Sequence, residues 1–365
     1  MKKYIHWWQP QITPHEYSYV KNVLDSGFIN EGDMTEKFER KIALLLHSKY
    51  AVATSSGTIA LFLSLASLEI GPGDEVIIPD ITFIATANAV SLTGANSVLV
   101  DIDPESLLVD PKSIEKAITK KTRAIIPVHI SGRGANMTVI KKIAQKYHIF
   151  IVEDACEAFL SMYHGRFLGT YGTLGCFSFS PNKTITTGQG GMVVTDDERL
   201  YWRLKELKDQ GRKTGGTGGN DHHNSLGYNF KFTNLQAAVG LGQLHSLSKR
   251  LKRQKEIYQI YKTQLSNIGG IKVFSCDVEG GEIPLWTDAL VRQRDKLVKY
   301  LLQYNIDCRK FWFPIHTQIP YKLSDQRFPQ STRLSPQAVW LPSAFTLTDD
   351  EVLLVCHLIK KFLKA

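Results

Sequence analysis

Between about residues 50 and 200 the chain alternates short apolar, β-branched runs with stretches of helical period, and no other feature restricts its fold as much. "DEVIIPD" (74–80) reads as a strand and "FIATANAVSLTG" (83–94) as a helix ended by a glycine. "SVLVDID" (97–103) is the next strand, and "DPKSIEKAITKK" (110–121) a helix with proline at its start. The same order repeats in "RAIIPVHI" (123–130), "MTVIKKIAQKYH" (137–148) and "IFIVEDA" (149–155). Strands with no polar face are buried on both sides, and helical crossovers between them favour parallel pairing. The expectation is an α/β fold, a mostly parallel sheet flanked by helices.

The rest of the chain has a different rhythm. Residues 211–225, "GRKTGGTGGNDHHNS", form a polar, glycine-rich loop too long for a simple connector, which points to function or disorder. A helical pattern then runs from Asn234 through "LQAAVGLGQLHSLSKRLKRQKEIYQIYKTQL". Beyond it "IPLWTDALV", "RQRDKLVKYLLQYN" and "IDCRKF" read as strand, helix and strand, and a last helix starts where Thr348 and Glu351 can form a capping box. This divides the chain into a large domain (residues 1–245) and a smaller α+β domain (246–365), with the N-terminal segment free to pack on the latter.

Composition narrows the function classes. With 43% hydrophobic and 22% charged residues the chain is an ordinary globular protein. No apolar run is long enough to span a bilayer, and "MKKYIHWWQPQITPHEY" lacks the apolar core of a signal peptide. The five cysteines are scattered and form no CxxC pair, so reduced thiols in the cytoplasm are expected, without zinc or disulfides. A net charge of +9 invites a nucleic-acid reading, but the densest basic stretch, "SKRLKRQK" (248–255), lies in the helical pattern as a solvated face. No nucleic-acid or membrane partner is expected. A basic protein also suits a small anionic substrate.

Two residues then stand out. Asp154 follows the apolar strand "IFIV", at a carboxyl end where open α/β sheets place their ligand crevice. By itself such an aspartate is more often a turn or cap residue. Lys183 follows 29 residues later, and "GTLGCFSFS" (172–180) between them reads as another buried strand, so both can meet at one sheet edge. A lysine used as an imine-forming nucleophile must sit away from bulk water, and pyridoxal phosphate asks for that lysine plus an acid facing its pyridinium nitrogen. In "TSSGTIALFLSLASL" (54–68), Ser56, Gly57 and Thr58 precede an apolar helix whose free N–H groups suit an anion. Ser178 offers a hydroxyl to the same anion, though a strand serine bonded to nearby backbone would look the same.

"SSGTIAL", "GPGDEVIIPDITFIATANAV", "VEDACEA", "FSFSPNKTITTGQGGMVVTDD" and "LGYNFKFTNLQAAVGLGQL" occur in one order along nearly the whole chain. Together they resemble the DegT/DnrJ/EryC1/StrS family of pyridoxal-phosphate-dependent sugar aminotransferases, with the fold type I architecture. "NKTITTG" followed by "GGMVVT" is most similar to the branch that aminates a 4-keto-6-deoxy sugar carried on GDP. The resemblance implies that Lys183 bonds to the cofactor aldehyde and moves the catalytic proton, and that Asp154 is the pyridinium partner. It implies that Phe83 stacks on the ring, where the residue alone reads as ordinary core, and that Glu157 lies beside it. Gly57, Thr58 and Ser178 match phosphate contacts. Asn229, otherwise a turn residue, matches one that reaches the phosphate of a neighbouring subunit, implying a homodimer with shared sites. The implied reaction is a ping-pong transamination. L-Glutamate converts the cofactor to its pyridoxamine form, a keto nucleotide-sugar takes the amine, and the product serves surface polysaccharide assembly.

Departures from that pattern cluster where sugar and nucleotide bind. Gln189 stands where the branch generally has glutamate, Arg133 through Asn136 replace a "CDM" ending, the loop at 211–225 differs, and "KFWFPIH" replaces an "RPVFYPIH"-like stretch. These leave UDP- or dTDP-linked 3- or 4-keto sugars open as substrates. Trp312, Phe313 and His316 are candidates for the sugar pocket, with a packed aromatic cluster as the rival reading. A sugar 3-dehydratase of the same fold would carry histidine at 183, and a cysteine desulfurase would need a reactive-cysteine loop that the sequence lacks. A non-catalytic regulator or nucleic-acid binder rests on the net charge alone.

Overall fold

A computed structural model describes residues 4–213, 223 and 225–364. The strands in chain order are β1 (Tyr50–Thr54), β2 (Glu75–Pro79), β3 (Asn96–Val100), β4 (Thr122–Ile125), β5 (Phe150–Asp154), β6 (Met162–Tyr163), β7 (Arg166–Phe167), β8 (Leu174–Ser178), β9 (Gly191–Thr195), β10 (Ile271–Val273), β11 (Thr287–Val291), β12 (Arg309–Lys310) and β13 (Ala338–Leu341). Seven of them form the central sheet in the order β1-β9-β8-β5-β4-β2-β3. Parallel pairs join β3, β2, β4, β5 and β8, while β9 runs antiparallel to both β8 and β1. The mostly parallel sheet read from the apolar runs is present. Helices cover both faces, and apolar clusters fill each layer, one around Phe38, Ile140 and Phe177 and the other around Leu63, Val76 and Val152.

This topology matters because β1, β2, β4, β5 and β8 all end at one edge of the sheet, the edge outside which an open α/β sheet forms its ligand crevice. The chain leaving each of those strands therefore converges: Ser56–Thr58 after β1, Thr82–Phe83 after β2, Val128 after β4, Cys156 after β5 and Ser180 after β8.

The second sheet, β10-β11-β13-β12, is antiparallel throughout and carries its own apolar cluster around Tyr261, Val291 and Val355. Ile5 belongs to that cluster and bridges to Ile306. The capping box at the last helix is formed, with Glu351 accepting from the Thr348 N–H at 2.9 Å and Thr348 Oγ1 from the Glu351 N–H at 3.2 Å.

One sequence expectation changes. The helical run from Asn234 is two helices, Asn234–Leu244 and Leu247–Leu265, separated at His245–Ser246 where the bonds tighten to His245 N–H···O=C Gly242 and Ser246 N–H···O=C Gln243. The physical reason is a change of core: Ala237 and Leu241 pack with the large sheet, whereas Ile257, Tyr258 and Tyr261 pack with the small one. Periodicity alone cannot report a change of packing partner. The glycine- and histidine-rich loop falls, at residues 214–222 and 224, outside the described residues.

Phe177 tests the packing beneath the crevice. Its ring is fully buried, meets Phe159 edge-on at 5.9 Å, and lies where a side chain at Gly169 would be, a Cβ there coming within 2.4 Å of it. Phe177→Ala is expected to lower the unfolding free energy by about 3–5 kcal/mol in urea titration; a loss below about 1 kcal/mol would contradict this core.

Candidate active site

A cavity of about 350 Å³ opens at the converging strand ends. Its floor starts from sequence. Ser56 in extended conformation caps the helix Gly57–Ser67, its Oγ accepting from the Ile59 N–H at 3.3 Å. The first-turn N–H groups of that 11-residue helix have no intrahelical partner, so the helix end favours an anion. Gly57 is where a side chain would overpack: a Cβ would lie 2.9 Å from both Ser178 Cβ and Cys156 Sγ. The helix end and β8 are thus in direct backbone-to-side-chain contact. Gly57, Thr58, Ser178, Ser180 and Asn182 line this part of the cavity.

Asp154 and Lys183 line the same cavity. Asp154 ends β5 and is buried; its Oδ2 accepts from Thr86 Oγ1 at 2.8 Å and its Oδ1 from the Cys156 N–H at 3.2 Å. Two donors on one carboxylate fix its orientation. Lys183 is only 11% exposed at its side chain, with Nζ 3.2 Å from Glu157 Oε1 and 5.0 Å from the centre of the Trp286 ring. Glu157 is held from the other side by the Ser131 N–H at 3.0 Å on Oε2. Burial pushes the Glu157 carboxyl above its usual range, against the opposing pull of the Lys183 cation. Burial, with Asp154 adding to it, pushes the Cys156 thiol well above its usual range.

Phe83 follows β2 at the cavity wall and is 51% exposed, which the sequence alone did not suggest. A bare aromatic face beside a carboxylate and an amine has the form of a stacking surface for a planar ring. The opposite wall comes from the small sheet and its approaches: Trp286, Arg309, Trp312 and Trp340.

Of the three residues expected at the sugar pocket, Trp312 alone lines the cavity among the described residues. His316 is a correction: it is fully buried, its Nδ1 2.7 Å from Asp80 Oδ2 and its Nε2 3.2 Å from Asp325 Oδ1, and its ring stacks on Phe328. It closes a packing network instead of facing a ligand. Phe313 is a second correction, pointing to solvent at 70% exposure outside the lining. Asn229 is exposed and bridges to Asp209 near the chain's surface, outside the cavity of its own chain. Sequence reasoning missed Thr86, Trp286, Arg309 and Trp340. Thr86 lies four residues after Thr82 on the helix entry, a helical spacing that could have paired it with the strand-end acid; the tryptophans and Arg309 come from the other sheet and carried no such signal.

These residues fit pyridoxal phosphate. The anion-favouring helix end comes close to Ser178 because Gly57 lacks a side chain, the acid and the amine share one cavity, and an exposed aromatic ring stands beside them. Fold and cavity together define a fold type I pyridoxal-phosphate transferase. The DegT/DnrJ/EryC1/StrS aminotransferase family matches residues 10–360. GDP-perosamine synthase of Escherichia coli O157:H7 is 38% identical over 99% of this chain and 99% of its own length. The spore coat polysaccharide biosynthesis protein SpsC of Bacillus subtilis is 34% identical over 94% of this chain and 93% of its own. Among solved structures, the sugar aminotransferase Spr1654 of Streptococcus pneumoniae in its PLP form superposes with a TM-score of 0.93 at 27% identity, covering 99% of both chains. The chain belongs to the DegT/DnrJ/EryC1/StrS aminotransferase family. It is an aminotransferase that depends on pyridoxal phosphate.

Gly57→Ala probes the cradle. Overpacking against Ser178 and Cys156 costs about 1–3 kcal/mol, and retention of pyridoxal phosphate through gel filtration is expected to fall with little change in secondary structure by circular dichroism. Full retention would show that the close approach of helix and strand is not needed.

Proposed function

We propose that the protein transfers an amino group from L-glutamate to a keto nucleotide-sugar, with a 4-keto-6-deoxy hexose on GDP as the preferred acceptor, in surface polysaccharide biosynthesis. The observation that carries this reading is the meeting of Lys183 and Asp154 in one cavity beside the helix end at Gly57. The similarity to the Escherichia coli GDP-perosamine synthase supports the acceptor class. UDP- or dTDP-linked 3- or 4-keto sugars are the second reading, favoured by Gln189 on the cavity wall and by the changed stretch around Trp312.

In this proposal Lys183 would hold the cofactor at its aldehyde end, and its amine, when free, would move the proton at the reacting carbon. Pyridoxal phosphate, when bound, supplies a ring that accepts electrons from the carbon losing its proton. Asp154, oriented by Thr86 and the Cys156 N–H, would be the acid that keeps the ring nitrogen protonated. Glu157 holds the lysine amine at the cavity side. Phe83 would offer the stacking surface for the ring, and Gly57, Thr58 and Ser178 would hold its phosphate. Trp312 shapes the sugar end. The Trp286 ring, 5.0 Å from the Lys183 Nζ, covers one side of the amine.

The working unit in this reading is a homodimer in which Asn229 reaches the neighbour's phosphate site. The chain divides into a cofactor domain (1–245) and a small domain (246–365), supported by the helix break at His245–Ser246. Cytoplasmic residence is part of the proposal, supported by five cysteines that are all unpaired. Among the described residues no helix is long and apolar enough to cross a membrane.

The purified protein, loaded with pyridoxal phosphate, is mixed with glutamate and a panel of 4-keto and 3-keto nucleotide-sugars while 2-oxoglutarate release is followed. Turnover is expected with at least one 4-keto-6-deoxy sugar; release with none of them overturns the proposal. Lys183→Ala is expected to abolish both turnover and the borohydride-fixed cofactor on the peptide containing residue 183, read by mass spectrometry. A labelled peptide elsewhere in the chain would refute the lysine assignment.

A further inference from the structure

We infer that Arg309 is the anion-recognition residue of this cavity, taking an oxyanion of a substrate: either a carboxylate of the amino donor or the diphosphate of the nucleotide-sugar. The inference rests on the proposed transamination and deepens it. Four charged residues line the cavity: Asp154, Glu157, Lys183 and Arg309. Three are satisfied within the chain. Asp154 accepts from Thr86 and Cys156, and Lys183 and Glu157 pair with each other. Arg309 differs. It is partly buried, its guanidinium carbon lies 5.0 Å from the centre of the Trp7 ring and 5.5 Å from that of Trp340, and no carboxylate or carbonyl of the described residues hydrogen-bonds to it.

The chain invests in fixing this cation. Arg309 sits on β12, whose register pairs it with Trp340 on β13, so backbone and ring hold the same side chain. Trp340 is in turn anchored by its Nε1–H on Ser131 Oγ at 3.0 Å. An arginine stacked on aromatic faces keeps its N–H edge available, and that planar edge matches carboxylate and phosphate oxygens in pairs. A partly desolvated cation without an acid partner is costly unless an anion arrives. Two buried arginines near the small sheet do have such partners: Arg133 pairs with Asp288 and Arg294 with Asp295. The two half-reactions bring different anions to the same cavity. Glutamate carries a carboxylate on the carbon that loses its amine, whereas the sugar carries its negative charge only on the diphosphate.

Calorimetry on the pyridoxal-phosphate-loaded protein separates the two sources, with glutarate as the carboxylate probe and GDP as the diphosphate probe. Arg309→Gln is expected to weaken one or both by about ten- to a hundredfold, the range of a charged hydrogen-bond pair, while the visible spectrum of the bound cofactor is unchanged. Loss of glutarate alone assigns the donor carboxylate, and loss of GDP alone the nucleotide. Loss of both assigns one anion site used in turn. Unchanged affinity for both probes overturns the inference. Arg309→Lys, which keeps the charge and the stem but not the planar fork, is expected to recover only part of the lost affinity and guards against a folding defect in the first variant. Dependence of glutarate binding on Arg309 in a protein that aminates no keto sugar would sustain the anion site while the proposed acceptor falls.

Discussion

A buried amine must have a partner, and the pairing of Lys183 with Glu157 organises much of the molecule around it. Glu157 can serve only if its second oxygen is also satisfied, and the donor is the backbone N–H of Ser131. Ser131 adopts a φ of +52°, a left-handed conformation that a non-glycine residue holds only under constraint. The constraint is visible on all sides. The Ser131 carbonyl accepts from the Leu285 N–H at 3.0 Å, its hydroxyl accepts from Trp340, and a Cβ on Gly132 would fall 1.8 Å from the Ile283 carbonyl oxygen. The chain that approaches the small sheet is therefore clamped onto the large sheet at the point where the lysine is positioned. Arg133, two residues on, pairs with Asp288 on β11, and Arg133 also donates to the Ser106 carbonyl. Burial raises the Asp288 carboxyl above its usual range while the Arg133 cation opposes that shift. The segment that departs from the expected "CDM" pattern is this clamp.

The large sheet supplies position and the small sheet supplies enclosure. Five strand ends deliver backbone and short polar side chains to one edge, where a small change in register would move every group at once. Close contacts lock that register: Gly57 against Ser178, Gly175 so near Gly169 that a Cβ would lie 1.8 Å from its carbonyl oxygen, and Gly191 under the Ser56 carbonyl. The glycines stand where two backbones meet, and this is why the strand carrying Ser178 and the helix beginning at Gly57 can face one ligand from both sides.

Much of this was legible in the sequence because it is local. The parallel strands are continuous apolar runs, the helix at Gly57 follows a serine cap, and Asp154 sits at the end of "IFIV" for reasons of pattern alone. Phe83 and Glu157 became visible only through the family resemblance, since an aromatic after a strand reads as core and a glutamate three residues past an aspartate reads as surface. What stayed hidden depends on distant packing. Trp286 and Arg309 enter from a separate sheet more than a hundred residues away in sequence from Asp154. His316 reads as a sugar-pocket candidate because it lies in the stretch "KFWFPIH" that departs from the family pattern, yet Asp80, at the end of β2, captures it in the core. The break at His245–Ser246 has no glycine or proline to announce it; only the division of cores explains it.

The wall that encloses the lysine also concentrates the chain's chromophores. Of six tryptophans, Trp7, Trp8, Trp286, Trp312 and Trp340 belong to one apolar cluster there, and Trp202 alone stands apart, largely in solvent. Their rings meet within 4.9–6.4 Å of one another in several pairs. Five of the chain's six indoles therefore report on one region of the fold, and three of them, Trp286, Trp312 and Trp340, border the cavity itself. With the Trp286 ring 5.0 Å from the Lys183 Nζ, the molecule places an intrinsic fluorophore beside the amine at the heart of its cavity.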